Sequence, residues 1–511
     1  MRVAVAAWAW TSVIAAWPIS QPYGRRRLHP PRLHEGGGPF PALVQWVVGS
    51  GGEVDEALGV GDVDGMRGVV VNREIAPLRT EMIRVPSALG LSEDADDLLD
   101  SPLGIALGRT GLALLQPDAR LALRLLLEDS LGEDSPWSDY IALLPVHVPC
   151  ARHLDDDFLL ECRSDFVLKQ AMLARKYAAT TYASLGRQLG GAAVPFTEER
   201  FGWALDVVHS RSFSVDMGVR GLRRIMVPYI DFLNCSPGRG CTFTFDPTDE
   251  PPSFVVELPA GEARPAPGEQ LFLDYGRQTS EELALMYGFV PREPTSHDVI
   301  ELTGAFSPED LASAPGDNAM REEKEALLQS CRYAPPRTFE LQARQIDPAI
   351  VCALRLTLLT PEELNESCSS NWNRPLAHKP VSRANERRVA IALCGRLRTM
   401  LAADATTLEE DRRLISSWDG TEDGTEAAGE AVDGEEQRGT GLPLRDAVQM
   451  RANRKQLVAE SIEQLESFVQ QLESPLGEDA SDAKGEARAG GERCENLLDF
   501  MDDYLPTMRM L

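Results

Sequence analysis

The chain has 511 residues, of which 43% are hydrophobic and 25% charged, an ordinary globular composition with room for two or three domains. Its formal net charge of −28 argues against a protein that holds nucleic acid through its overall field. Nine cysteines, scattered from Cys150 to Cys494 without a CxxC pair, argue for reduced thiols and against a disulfide framework, and no metal is expected.

Residues 3–17 form an apolar run after Arg2, too short for a comfortable membrane span and matched to a signal-peptide h-region. Arg25, Arg26, Arg27 and Arg32 follow among prolines, and the first acidic residue is Glu35. That order predicts a targeting segment over residues 1–37, addressed to a plastid bounded by extra membranes. A secretory route, cytoplasm and nucleus stay open as alternatives, and no stable membrane span is expected in the mature chain.

Residues 40–86 alternate short apolar stretches with glycine (LVQWVV, GMRGVVV, EMIRVP), predicting one short helix and then small strands and turns. Residues 97–190 change to long helical spacing, with Trp137-Ser-Asp-Tyr140 as a helix-ending aromatic segment. Residues 197–213 predict an amphipathic helix: Thr197 can cap it, Glu198 and Glu199 suit its first turn, and Phe201, Ala204, Leu205 and Val208 share a face. Strand-like text follows at 225–229, 242–245, 254–258 and 270–274, then a short helix at 281–287.

Beyond Thr303 the pattern is helical again. Thr360 with Glu363 and Thr407 with Glu410 form capping boxes. Val389, Leu393, Leu397 and Met400 make one apolar stripe; Val458, Ile462, Leu465, Val469 and Leu472 make another. Residues 420–441 and 475–491 are acidic, rich in glycine and alanine and poor in apolar groups, so they are expected to lack a packed core. Residues 497–511 mix apolar and acidic positions and predict a short docking helix.

The densest text lies within residues 201–289: FGWALDVVHSRSF, VPYIDFLNCSP and PGEQLFLDYGRQTSEELALMYGF. In order and spacing these segments resemble the core of a SET-domain methyltransferase, of the subfamily typified by the plant large-subunit lysine methyltransferase of ribulose-bisphosphate carboxylase. The resemblance implies an α+β fold. A β-rich SET domain would cover residues 38–302 with a helical insertion at about 97–190. An all-α substrate-binding domain would follow over 303–475, interrupted by the acidic insertion at about 420–441, and an acidic tail would fill 476–511. It also implies a protein-lysine N-methyltransferase that uses S-adenosylmethionine on a non-histone protein, without a metal. Related enzymes of this architecture methylate histidine, and a non-catalytic SET-like binding protein is the alternative from another class. The partner is then a protein presenting a lysine or histidine, not nucleic acid.

The site residues follow from that resemblance. Tyr275, in LDYGRQ, matches the catalytic tyrosine, whose hydroxyl orients amine and methyl; a strand-end tyrosine packed on the core is the bland reading. Tyr287, in MYGF, matches an aromatic wall of the lysine channel, or packs in the core. Asn234 and Cys235 stand where the subfamily has an Asn-His pair beside the cofactor, in a segment that threads under another. An asparagine amide both donates and accepts, so Asn234 can bridge two strands. Gly65, Met66, Arg67 and Gly68 match the first cofactor-binding turn, where glycine lets backbone approach a ligand. Arg211 and Asp231 match residues near cofactor or substrate lysine, or else form an internal ion pair. Ser280 replaces a usual asparagine, and Phe243 and Phe245 stand where a channel tyrosine is common.

Overall fold

A computed structural model describes residues 39–63, 66–188, 196–259, 261, 263–302, 320–333, 339–342, 345–369, 379–419, 442–473 and 496–497. The targeting segment, both acidic stretches and nearly all of residues 497–511 lie outside the described residues.

Helix α1 (Pro39–Gly49) leads into strands β1 (Glu53–Val54), β2 (Leu58–Val63), β3 (Met66–Val71), β4 (Glu81–Pro86) and β5 (Leu91–Ser92). Strands β2 and β3 pair antiparallel, with Leu58 opposite Val71 and Val63 opposite Met66. The expected helical insertion then appears as α2 (Ala95–Leu98), α3 (Pro102–Leu114), α4 (Pro117–Leu131), α5 (Ser138–Ile141), α6 (Asp156–Cys162) and α7 (Asp165–Gln188). Helices α3 and α6 start on side-chain caps: Ser101 accepts from the Gly104 amide at 3.0 Å and Asp155 from that of Phe158 at 2.7 Å. Leu121, Leu123 and Leu125 of α4 are fully buried in the same cluster as Val69, Val71 and Met82 of the strands, so the insertion shares the core. Each such side chain contributes about 1.5–3 kcal/mol through burial.

Helix α8 (Glu198–Arg211) starts as expected, Thr197 accepting from the Arg200 amide at 3.2 Å. It ends two residues earlier than the apolar pattern suggests. Ser212 and Phe213 instead open strand β6 (Ser212–Asp216), whose pairing with β7 (Leu222–Met226) captures their backbone groups. Strands β8 (Asn234–Cys235), β9 (Thr242–Asp246), β10 (Ser253–Glu257) and β11 (Phe272–Leu273) follow, then helix α9 (Ser280–Tyr287). Among the described residues the larger sheet runs β1-β4-β10-β9, and β5-β7-β6 forms a second. Phe254, Val255 and Val256 are buried in succession, because β10 lies between β4 and β9 and is covered on both faces.

Past residue 298 a small antiparallel sheet pairs β12 (Val299–Leu302) with β13 (Phe339–Gln342), and β13 with β14 (Gln345–Ile346). These short strands were not anticipated; β13 and β14 fall in the stretch beyond Thr303 read as helical, and β12 lies just before it. The helices are α10 (Arg321–Ser330), α11 (Pro348–Thr357), α12 (Pro361–Ser369), α13 (Arg383–Ala403), α14 (Leu408–Asp419) and α15 (Leu444–Glu473). Both capping boxes form, with Thr360 and Glu363 exchanging backbone-to-side-chain bonds at 2.9 and 3.3 Å, and Thr407 and Glu410 at 2.7 and 3.2 Å. Val389, Leu393 and Leu397 of α13 share a buried cluster with Val458, Ile462 and Leu465 of α15. Under them Arg355 and Glu386, both wholly buried, make a bidentate pair at 2.6 and 2.7 Å.

Helix α15 also reaches the first half of the chain. Ala447 and Met450 share a cluster with Leu154, Phe158 and Leu159 around α6, Val167 of α7, and Ala284 and Leu285 of α9. Among the described residues no helix is long and apolar enough to cross a membrane.

Candidate active site

The site is built around a chain crossing. Residues 268–271 run antiparallel to β3: the Leu271 amide donates to the Val69 carbonyl at 2.8 Å, and that of Val71 to Glu269 at 2.9 Å. The chain then passes between two segments. On one side β11 pairs in parallel with β8, Phe272 opposite Asn234 and Leu273 opposite Cys235. On the other, the Cys241 amide donates to the Phe272 carbonyl at 2.8 Å and the Asp274 amide to that of Cys241 at 3.1 Å. Gly240 permits this approach: at φ 122°, a Cβ there would lie 2.9 Å from the Phe272 carbonyl oxygen.

Asn234 ties the crossing to β3. Its Nδ2 donates to the Arg67 carbonyl at 3.0 Å and to the Gln270 Oε1 at 2.7 Å. The expected bridge therefore joins one backbone carbonyl and one side chain, rather than two backbones. Gly68 leaves the space for it, since a Cβ would lie 2.3 Å from Gln270 Oε1 and 2.7 Å from Asn234 Nδ2. Gly65 lies outside the described residues, and Met66 opens β3.

Tyr275 leaves the crossing and turns back, donating its hydroxyl to the Leu233 carbonyl at 2.8 Å. Its ring meets that of Tyr287, at the end of α9, with centroids 4.7 Å apart and planes at 48°. Burial pushes both phenols up, Tyr275 well beyond its usual range and Tyr287 to about 12. At neutral pH they are hydrogen-bonding groups, not bases. Cys235 is half-buried beside them, and burial pushes its thiol up to about 11, so it stays protonated.

Arg211 and Asp231 meet, as the ion-pair reading expected. Arg211 Nη1 donates to the Asp231 carbonyl at 2.8 Å and lies 3.4 Å from its Oδ2. The Asp231 side chain is 0% exposed, and burial raises its pKa despite the guanidinium. Two of the pair's atoms, Asp231 Oδ1 and Arg211 Nε, are buried without a protein partner. The guanidinium carbons of Arg67 and Arg211 lie 4.7 and 5.4 Å from the centroid of the Phe232 ring. Just upstream Tyr229 takes a positive φ of 70°, rare for a non-glycine residue, in the turn that directs Asp231 inward.

The structure thus gathers Arg67, Arg211, Asp231, Asn234, Cys235, Tyr275 and Tyr287. Sequence reading missed Gln270 and Tyr140, the latter donating to Asp231 Oδ2 at 2.8 Å. Ser280 is committed elsewhere: its amide and hydroxyl donate to the buried Asp298 carboxylate at 2.5 and 2.6 Å. Phe243 and Phe245 are committed too, packing on Phe254 with centroids 5.9 and 5.3 Å away.

Residues 315–458 match the family described as Rubisco LSMT substrate-binding. The chain folds like the solved SET domain of LSMT bound to lysine and AdoHcy, with a TM-score of 0.55 and 22% identity over 86% of this chain and 93% of that one. The chloroplastic ribulose-1,5-bisphosphate carboxylase/oxygenase large subunit N-methyltransferase of Nicotiana tabacum is 27% identical, covering 68% of this chain and 69% of that protein. The chain is similar to Rubisco LSMT-like SET proteins and shares the fold of the LSMT SET domain. A second relative, the chloroplastic [fructose-bisphosphate aldolase]-lysine N-methyltransferase of Arabidopsis thaliana, is 24% identical over 68% of this chain and 70% of that protein.

S-adenosylmethionine, the methyl donor of this architecture, is a sulfonium with an ammonium and a carboxylate on its amino-acid tail. The site can take charged ligand groups of this kind or of a substrate side chain: a buried acceptor and a buried donor stand unpartnered on Asp231 and Arg211, beside Arg67, Asn234 and Cys235 on the other side of the crossing.

Proposed function

We propose that this chain transfers a methyl group from S-adenosylmethionine to a lysine side chain of a non-histone protein. The observation that carries the reading is the Tyr275 hydroxyl, fixed on the Leu233 carbonyl at the crossing and faced by the Tyr287 ring. S-adenosylmethionine supplies the methyl on a positively charged sulfur, and the transfer is an in-line displacement by a neutral amine. The chain's own part is orientation. We assign the cofactor to Met66, Arg67, Asn234 and Cys235, with Gly65 next to them in the sequence. Arg211, Asp231 and Tyr287 face the substrate, Asp231 drawing cationic groups and Arg211 anionic ones. Tyr275 holds the amine in line: its O–H is donated to the Leu233 carbonyl, which leaves the oxygen lone pairs to accept from the substrate.

Two relatives are named chloroplastic, and the apolar and basic text before residue 38 accords with a plastid address. The test is transfer from methyl-labelled S-adenosylmethionine into stromal and cytosolic fractions of the source cell, with residue mapping of the product. A labelled stromal protein modified at lysine is the expected result. Label on histidine would replace lysine by the alternative acceptor, a cytosolic band would remove the plastid address, and no label with folded protein would overturn the enzyme.

Cys235 gives a second expectation. Its backbone pairs with Leu273 whatever the side chain, and the side chain is half-buried, so an imidazole there needs only local repacking. Cys235→His is expected to leave cofactor affinity unchanged or raise it, as measured by calorimetry. A loss of tenfold or more, about 1.4 kcal/mol, would show that the crossing is packed around the thiol.

A further inference from the structure

The helical insertion supplies one side chain to this site. Tyr140 lies on α5, is 0% exposed, and donates its hydroxyl to Asp231 Oδ2 at 2.8 Å across 91 positions of sequence. Its ring stands edge-on to Phe232, with centroids 6.4 Å apart. Helix α5 is itself tied down, because the neighbouring Trp137 donates its indole N–H to the Leu89 carbonyl at 2.8 Å. Asp231 therefore has one oxygen engaged by Tyr140 and Arg211, while the other, Oδ1, is buried without a protein partner. A wholly buried carboxylate that keeps one oxygen free needs something to stop it rotating.

We propose that Tyr140 is a positioning residue that clamps Oδ2 so that Oδ1 is presented to the cationic group bound in the site. This rests on the assignment of Asp231 to ligand binding. The groups facing the carboxylate are Tyr140 from α5, Arg211 from α8, Arg67 from β3 and Tyr275 after β11. Burial is the largest influence on Asp231 and raises its pKa, while the Arg211 charge and the Tyr140 hydrogen bond pull it back. Removing the hydroxyl removes one of the downward influences, so the carboxylate of the variant takes up its proton at a higher pH than that of the parent.

The experiment measures cofactor affinity by calorimetry, and kcat and KM on the labelled substrate, from pH 6 to pH 9. It compares the parent, Tyr140→Phe, Asp231→Asn and the double variant. At the lower pH, Tyr140→Phe is expected to weaken binding of cofactor or substrate by about 10–100-fold, the usual worth of a hydrogen bond to a charged group. The deficit should shrink as pH rises and the variant's carboxylate ionises. In the Asp231→Asn background the same substitution should add almost nothing. A deficit constant across the pH range, or one that persists undiminished beside asparagine, would make Tyr140 a packing residue and overturn the proposal. Were Asp231→Asn alone to leave both affinity and turnover unchanged, it would be the assignment of Asp231 that failed.

Discussion

Tyr275→Phe is expected to lower kcat by about 10²–10³-fold, the usual effect of removing one preorganised polar group from a buried reacting centre. The substitution keeps the ring, and with it the contact to Tyr287. What it removes is the hydroxyl bonded to the Leu233 carbonyl. That bond contributes about 1 kcal/mol to folding, so melting should change little. Cofactor affinity should also survive, because Asn234, Gln270 and the Arg67 carbonyl that shape the other side of the crossing do not depend on it. Single-turnover methyl transfer, with calorimetry for the cofactor, separates the two effects. Full turnover in the variant would place the chemistry elsewhere. Loss of cofactor binding together with turnover would instead mean that the hydroxyl holds the crossing together.

Most parts of this site that were legible from sequence lie on elements that follow one another closely along the chain; Arg67, 167 positions before Asn234, is the exception. Asn234, Cys235 and Tyr275 fall within a single crossing, and the spacing between Tyr275 and Tyr287 is set by one turn and one capped helix. Tyr140 was visible only as part of an aromatic segment ending a helix, since nothing local indicates that its hydroxyl meets a carboxylate from another element. Gln270 escaped for a similar reason. It sits in text that reads as strand, yet the chain makes only an isolated bridge to Val70 there, and its amide oxygen serves Asn234.

Helix boundaries erred where tertiary pairing overrode apolar spacing, as at Ser212 and Phe213. The strands after residue 298 were missed because Phe339–Gln342 and Gln345–Ile346 are short and carry charged or amide side chains. The apolar stripes of α13 and α15 were read correctly as core, but a stripe does not say which neighbour it meets. Helix α15 packs on α13 through Val458 and Ile462, and on α6 and α9 through Ala447 and Met450. One helix therefore belongs to both halves of the chain and touches the element that ends in Tyr287.

That double role makes Arg451→Ala the most damaging single change expected outside the crossing. Arg451 lies on α15 with 2% of its side chain exposed. It bonds the wholly buried Asp411 of α14 at 2.7 and 2.9 Å, and also Glu161 of α6. Lys455, one turn along, reaches the other oxygen of Asp411 at 2.7 Å. Truncation leaves Asp411 buried with a single cation and Glu161 without this arginine, a loss of about 3–5 kcal/mol. Melting should fall by roughly 5 °C or more. The neighbouring bonds from Gln449 to the Arg292 carbonyl and from Asn453 to that of Pro291, at 2.8 and 2.9 Å, should loosen with it. Amide exchange would show this as lost protection around residues 291–292 and in α9. Arg451→Met with Asp411→Leu and Lys455→Met should recover much of the stability, because apolar side chains of similar size leave neither Asp411 nor Lys455 as a stranded buried charge. If the alanine variant melts within 1 °C of the parent, or α9 keeps its protection, the contact does not join the two halves and the docking of α15 rests on its apolar face alone.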